Sequence, residues 1–138
     1  MSYPLVEQLK RHEGFKDRPY LDSVNVLTIG YGRNLESNPL TEDEATYLLV
    51  NDIERHEREL WKAFPVAAGL DRVRRDALIN MAFNLGIPRL STFARMWAAV
   101  DIGDWDEAAR QALDSKWAKQ VGKRAEEIAF MLRTGQYP

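Results

Sequence analysis

The 138-residue chain has no cysteine, which excludes disulfides and cysteine-ligated zinc, and its two histidines, His12 and His56, cannot alone complete a usual zinc site. No metal and no other cofactor is expected. No window approaches the roughly 18 apolar residues of a membrane span, and the first ten residues, MSYPLVEQLK, lack the basic start and apolar run of a secretory signal. The expectation is a chain that inserts in no membrane and is made in the cytoplasm. Strong positive charge is missing too: the formal net charge is −2, which argues against a protein that binds nucleic acid by neutralising phosphates. With only 8 glycines and 6 prolines, and no repeat or Ser/Gly linker, the composition is neither disordered nor collagen-like.

What is present suffices for one self-folding domain, since 45% of the residues are hydrophobic. This size and charge balance suggest a monomer. Charge is uneven: residues 41–60 hold seven acids against two bases, whereas residues 61–138 hold twelve bases against nine acids. The spacing of Leu5, Val6, Leu9 and Glu13, with Gly14 beyond, predicts a helix that closes there. YLDSVNVLTIGY, from Tyr20 to Tyr31, is rich in β-branched residues around turn-forming Asp22, Ser23 and Asn25, and reads as a small antiparallel sheet.

Thr41 and Glu44 in TEDE form a capping-box pattern that starts a long helix, with Leu49, Ile53, Leu60 and Phe64 on its apolar side up to Pro65. The stretch from Ala77 to Leu85 is apolar almost all round and is expected at the centre of a helical bundle. STFARMWAAV, DWDEAARQAL and KRAEEIAFMLRTG supply further helices, Asp104 and Glu107 forming a second possible capping box. The expected class is therefore α+β, predominantly helical: a single domain over 1–138, two-lobed, with a small N-terminal β-sheet lobe. That lobe spans about 12–38, a long linking helix about 41–64, and a helical C-terminal lobe about 65–138 that includes the N-terminal helix. A cleft between the lobes is the expected ligand site.

Three residues stand out chemically. Glu13 shares the stripe of Leu9 and Val6 on a short helix, so partial burial would favour its protonated form, as a general acid cleaving an acetal requires. The plainer alternative is a carboxylate turned to water or paired with an arginine. Asp22, nine residues on, lies in a polar turn where a carboxylate stays ionised, and the two form a candidate acid and base of the kind glycosidases use. Its alternative is a simple Asx-turn. Strand alternation puts Thr28 on the face opposite Leu27 and Ile29, beside Gly30 and Gly32, a face expected to be open to a water or a sugar oxygen. Strand propensity explains the same threonine equally well. The tryptophans Trp61, Trp97, Trp105 and Trp117 and also Tyr20 read as packing residues, and His12 as a neighbour pointing away from Glu13.

RHEGFKDRPYLDSVNVLTIGYG resembles the active-site segment of the phage T4-type lysozymes (glycoside hydrolase family 24), with its E-G, nine-residue step to D and six-residue step to T-I-G-x-G. The resemblance continues through LTEDEA, VRRDALINMAFNLG, DWDEAA, SKWAKQ, KRA and RTG. It implies two lobes joined by a long helix, and hydrolysis of the β-1,4 bond between N-acetylmuramic acid and N-acetylglucosamine in bacterial peptidoglycan, with inversion. In that resemblance Glu13 is the general acid, Asp22 the carboxylate that activates or positions the attacking water, and Thr28 the residue that helps hold it. Arg124 matches an arginine paired with the acid, and Asn34, Phe83 and Gln111 fall at or beside positions lining the sugar cleft. Phe83 reads equally well as core.

The resemblance further implies a host-lysis role. The enzyme would stay in the host bacterial cytoplasm until a separate holin-type protein opens the membrane, then act on the cell wall, in the periplasm of a Gram-negative host. The chain departs from the family pattern in the short RNLESNP interval, in Arg33 where the pattern has histidine, and in its acidic balance. Two other readings remain: a lytic transglycosylase, which needs only one acid, and a non-catalytic peptidoglycan-binding module.

Overall fold

A computed structural model describes residues 3–138. Its contacts divide the chain into two compact units, Met1–Leu48 and Leu49–Pro138.

The first unit opens with helix α1 (Pro4–Glu13), whose proline sits in the first turn, where no intrahelical donor is needed. The helix stops at Gly14, which has φ 73 and donates its N–H to the Lys10 carbonyl. A three-stranded antiparallel sheet follows in the order β1 (Lys16–Leu21), β2 (Leu27–Gly30), β3 (Arg33–Asn34). Its register pairs Tyr20 with Thr28 and Thr28 with Asn34. The sheet exceeds the expected Tyr20–Tyr31 span at both ends. Lys16, Asp17, Arg18 and Pro19 carry no strand signal of their own, yet β1 is an edge strand with a bulge between Lys16 and Tyr20, where charge and proline are tolerated.

Helix α2 (Glu42–Ala63) is 22 residues long and runs from the first unit into the second. Its start is a reciprocal capping box: Thr41 N–H donates to Glu44 Oε1 at 2.8 Å, and Glu44 N–H donates to Thr41 Oγ1 at 3.1 Å. Arg33 reinforces it. The guanidinium pairs with the Glu44 carboxylate and also donates to the carbonyls of Asn38 and Pro39 at 2.9 and 2.7 Å, fastening the short segment after β3 to the helix start.

In the second unit a 3-10 turn (Pro65–Gly69) leads to α3 (Arg72–Leu85), capped by Asp71. Then come α4 (Ile87–Leu90), α5 (Ala94–Asp101), α6 (Trp105–Leu113), α7 (Lys116–Val121) and α8 (Lys123–Thr134). Helix α8 packs on α3, α6 and α7, and α5 packs on α6. Ala108, Ala109 and Ala112, all buried on α6, have short side chains that let its neighbours approach closely. The expected Asp104–Glu107 box is one-sided: Asp104 accepts from Glu107 N–H, while the Glu107 carboxylate is taken by Gln111 and Arg110.

The hydrophobic core lies within the second unit, from Leu60 to Leu132, with Leu78, Met81, Leu90, Met96, Ile128 and Leu132 fully enclosed. Trp97 and Trp117 are buried, Trp97 stacking on Phe64 at 3.8 Å, and Trp61 and Trp105 pack against the same core. Helix α3 is not apolar all round: Asp76, Asn80 and Phe83 form a stripe at i, i+4 and i+7 that reaches a surface hollow. Among the described residues no helix is long and apolar enough to cross a membrane.

Candidate active site

In the first unit, Glu13 is the last residue of α1. It is exposed, contrary to the partial burial expected from its helical stripe, because α1 buries no residue. A unit of under 50 residues has too little core to enclose a helix face. The Glu13 carboxylate rests instead against Gly32: a Cβ built on Gly32, where φ is +70, would lie 2.6 Å from Glu13 Oε2. The last glycine of the T-I-G-x-G motif therefore makes room for the glutamate of the E-G motif.

Asp22 sits in the turn between β1 and β2. Its Oδ1 accepts from the N–H groups of Val24 and Val26, both at 2.9 Å, and its backbone carbonyl accepts from Asn25, which adopts φ 62. The Asx-turn and the candidate base are thus compatible roles, since the turn occupies Oδ1 and Oδ2 takes no part in it.

Thr28 lies on the central strand and is only 3% exposed. Its hydroxyl donates to the Val26 carbonyl at 2.9 Å. The open face expected for it is closed, and Leu27 is the exposed neighbour instead. The reason is its place between two pairing strands, with Tyr20 on one side and Asn34 on the other. Asn34 Oδ1 accepts from Glu36 and Ser37 N–H, so that oxygen shapes the turn after β3.

In the second unit, Phe83 and Arg124 line one cavity of about 480 Å³, together with Asp76, Ile79, Asn80 and Tyr137. Phe83 is 38% exposed, with its ring 5.0 Å from that of His56. Arg124 Nε donates to Asn80 Oδ1 at 2.9 Å. Gln111 is not part of this group. It lines a separate hollow of about 580 Å³ with Arg89, Arg95, Lys116 and Trp117, and its amide donates to Glu107.

The residues that sequence reading passed over in the first cavity are Asp76, Asn80 and Tyr137. Asp76 and Asn80 share the i, i+4, i+7 stripe with Phe83, a signal masked by the apolar residues around it. Tyr137 follows the glycine stop of α8 and carries no helical pattern. Its hydroxyl hydrogen-bonds the Asp76 carboxylate, and that bond, followed by burial, holds the phenol above its ordinary value of 10.0. Among the described residues no cluster of histidine, aspartate and glutamate is arranged to hold a metal ion.

A small sheet unit, a 22-residue helix leading out of it and a helical unit with its own core constitute a lysozyme-like architecture. The chain belongs to the phage lysozyme family, which residues 10–131 match. It is similar to the pre-baseplate central spike protein Gp5 of Enterobacteria phage T4, with 30% identity across 95% of this chain. Two probable T4-type lysozymes of Dictyostelium discoideum are 25% and 26% identical, over 98% of this chain and 96% of their own lengths. The chain spans only 28% of the spike protein's length.

Proposed function

We propose that this protein is an N-acetylmuramidase that hydrolyses the β-1,4 bond between N-acetylmuramic acid and N-acetylglucosamine in peptidoglycan, with inversion. The reading rests on family membership together with one observation, the seating of the Glu13 carboxylate against Gly32 at the end of α1. Glu13 gives its proton to the leaving sugar oxygen. Asp22 takes a proton from the attacking water through Oδ2 while Oδ1 stays in the turn. Thr28 helps hold that water, as the family resemblance implies. Asn34, Phe83 and Gln111 contact the glycan. The protein acts as a monomer and needs no cofactor. It leaves the host cytoplasm through a lesion made by a holin-type protein and then works on the cell wall.

The similarity to a phage spike protein supports a second reading, in which the same catalytic unit is delivered within a larger phage assembly. Chemistry at Glu13 and Asp22 is common to both. Digestion of purified peptidoglycan, followed by mass spectrometry of the released sugars, tests it. Hydrated fragments with reducing muramic acid ends are expected, with the rate falling by about 10²–10⁴ in Glu13→Gln and Asp22→Asn. Anhydro ends would make it a lytic transglycosylase, and wall binding without turnover would make it a binding module.

A further inference from the structure

Among the described residues Asn25 is the one non-glycine with a left-handed backbone, at φ 62. An L side chain is strained there by its own Cβ, and asparagine tolerates the strain better than most. The position closes the loop of Ser23, Val24 and Asn25 between β1 and β2. Asn25 N–H donates to the Asp22 carbonyl and Asp22 N–H to the Val26 carbonyl, both at 3.0 Å. This is the pattern of a three-residue hairpin loop ended by a left-handed residue, a place that glycine usually fills. Asn25 is exposed, and its side chain makes no hydrogen bond to the described residues. What it contributes is therefore its backbone.

The ψ angle of Asn25 turns the Asn25–Val26 peptide, and the N–H of that peptide donates to Asp22 Oδ1 at 2.9 Å. The Val26 carbonyl accepts from the Thr28 hydroxyl at 2.9 Å as well as from Asp22 N–H. Asp22 and Thr28 thus meet on one residue, and the conformation of Asn25 decides how that residue faces them. A right-handed or extended backbone at position 25 would turn Val26 N–H away and leave Val24 N–H as the loop's single donor to Oδ1. A carboxylate on one donor swings about it, whereas two donors on the same oxygen fix the place of the other oxygen.

We propose that Asn25 is a positioning residue for the reaction: its left-handed backbone aims Val26 N–H at Asp22 Oδ1 and so fixes Oδ2, the oxygen that takes the water's proton. This rests on the reading of Asp22 as the carboxylate that activates the attacking water.

The kinetics of the full chain are measured on soluble peptidoglycan fragments, well below the melting temperature of each variant. Asn25→Gly removes the side chain and keeps the left-handed backbone, Asn25→Val disfavours that backbone most, and Asn25→Ala lies between. In Asn25→Val kcat is expected to fall by about ten- to a hundredfold with KM within about twofold. Asn25→Ala loses less, and Asn25→Gly rescues kcat to within about twofold of wild type. A loss in Asn25→Gly as large as that in Asn25→Ala would mean that the side chain itself acts, and overturns the proposal. In an Asp22→Asn background, Asn25→Val should lower the residual turnover by no more than about twofold, since no base is left to place. The full loss in that background would be a merely structural effect and also overturns it. Hydrogen exchange of the Val26 amide is a readout independent of turnover: it should be at least about tenfold faster in Asn25→Val than in wild type and Asn25→Gly. Equal exchange in all three overturns the proposal. Wild type that cleaves peptidoglycan while Asn25→Val keeps its kcat leaves the muramidase reading standing and removes the role of Asn25. Wild type that cleaves nothing while the Val26 amide responds removes the muramidase reading and keeps Asn25 as the residue that holds Asp22.

Discussion

Gly30 and Gly32 both sit at φ +70, but a Cβ on Gly30 meets nothing within 4 Å, whereas one on Gly32 meets the Glu13 carboxylate. Alanine at either position carries the same left-handed penalty, about 1–2 kcal/mol. The two variants should therefore lose similar stability. Only Gly32→Ala displaces the proposed acid, so its peptidoglycan turnover should fall at least about tenfold below that of Gly30→Ala, given what a misplacement near 1 Å costs. Equal turnover in the two would detach Glu13 from the chemistry. Asp22→Asn separates turn from catalysis in the same way. Asparagine retains the Oδ1 acceptor for Val24 and Val26, so thermal unfolding should move by less than about 1 kcal/mol while turnover collapses. Sequence alone identified Glu13, Asp22 and Thr28 as candidates, because their types and spacing are local. Whether each was exposed was not legible: Glu13 is open and Thr28 closed, the opposite of the expectation, because exposure depends on what packs or pairs beside a residue.

At the scale of elements, the start of α2 carries a pH-dependent contact. The Glu44 carboxyl lies below its ordinary value of 4.5, first because Thr41 N–H donates to it and next because Arg33 does. A depressed carboxyl contributes stability that is present above pH 4.5 and is lost as pH falls through its folded value. Glu44→Gln keeps an acceptor for Thr41 but drops the charge facing Arg33. The melting-temperature gap between wild type and Glu44→Gln should be largest above pH 4.5 and shrink below it; a gap constant with pH would mean that Arg33 does not act through this charge. The capping box itself was legible from Thr41 and Glu44 three residues apart. The Arg33 clamp was not, since eleven residues separate it from Glu44 and only the return of the chain after β3 brings them together. The same limit applied to β1, whose charged first half pairs because β2 is beside it.

For the whole molecule, the division of the core is decisive. Among the described residues every buried hydrophobic side chain, from Leu60 to Leu132, belongs to the second unit, and Thr28 is the one buried residue of the first. Leu78→Ala, at a fully enclosed site, should cost about 2–5 kcal/mol in denaturant unfolding. Native-state hydrogen exchange should show the sheet amides of β1 and β2 opening at lower free energy than those of α3 and α8. Protection in β2 equal to that in α3 would mean that the two units unfold together. The sequence by itself determined the long helices, the place of the sheet, their order, the family resemblance and the carboxylates of interest, because helix periodicity, caps, turns and motif spacing are properties of neighbouring residues. Only the tertiary structure decided that Gly32 admits Glu13, that Arg33 reaches Glu44, and that Asp76, Asn80, Phe83, Arg124 and Tyr137 share one hollow. Those contacts join residues far apart in the chain, and no local pattern encodes the distance between them.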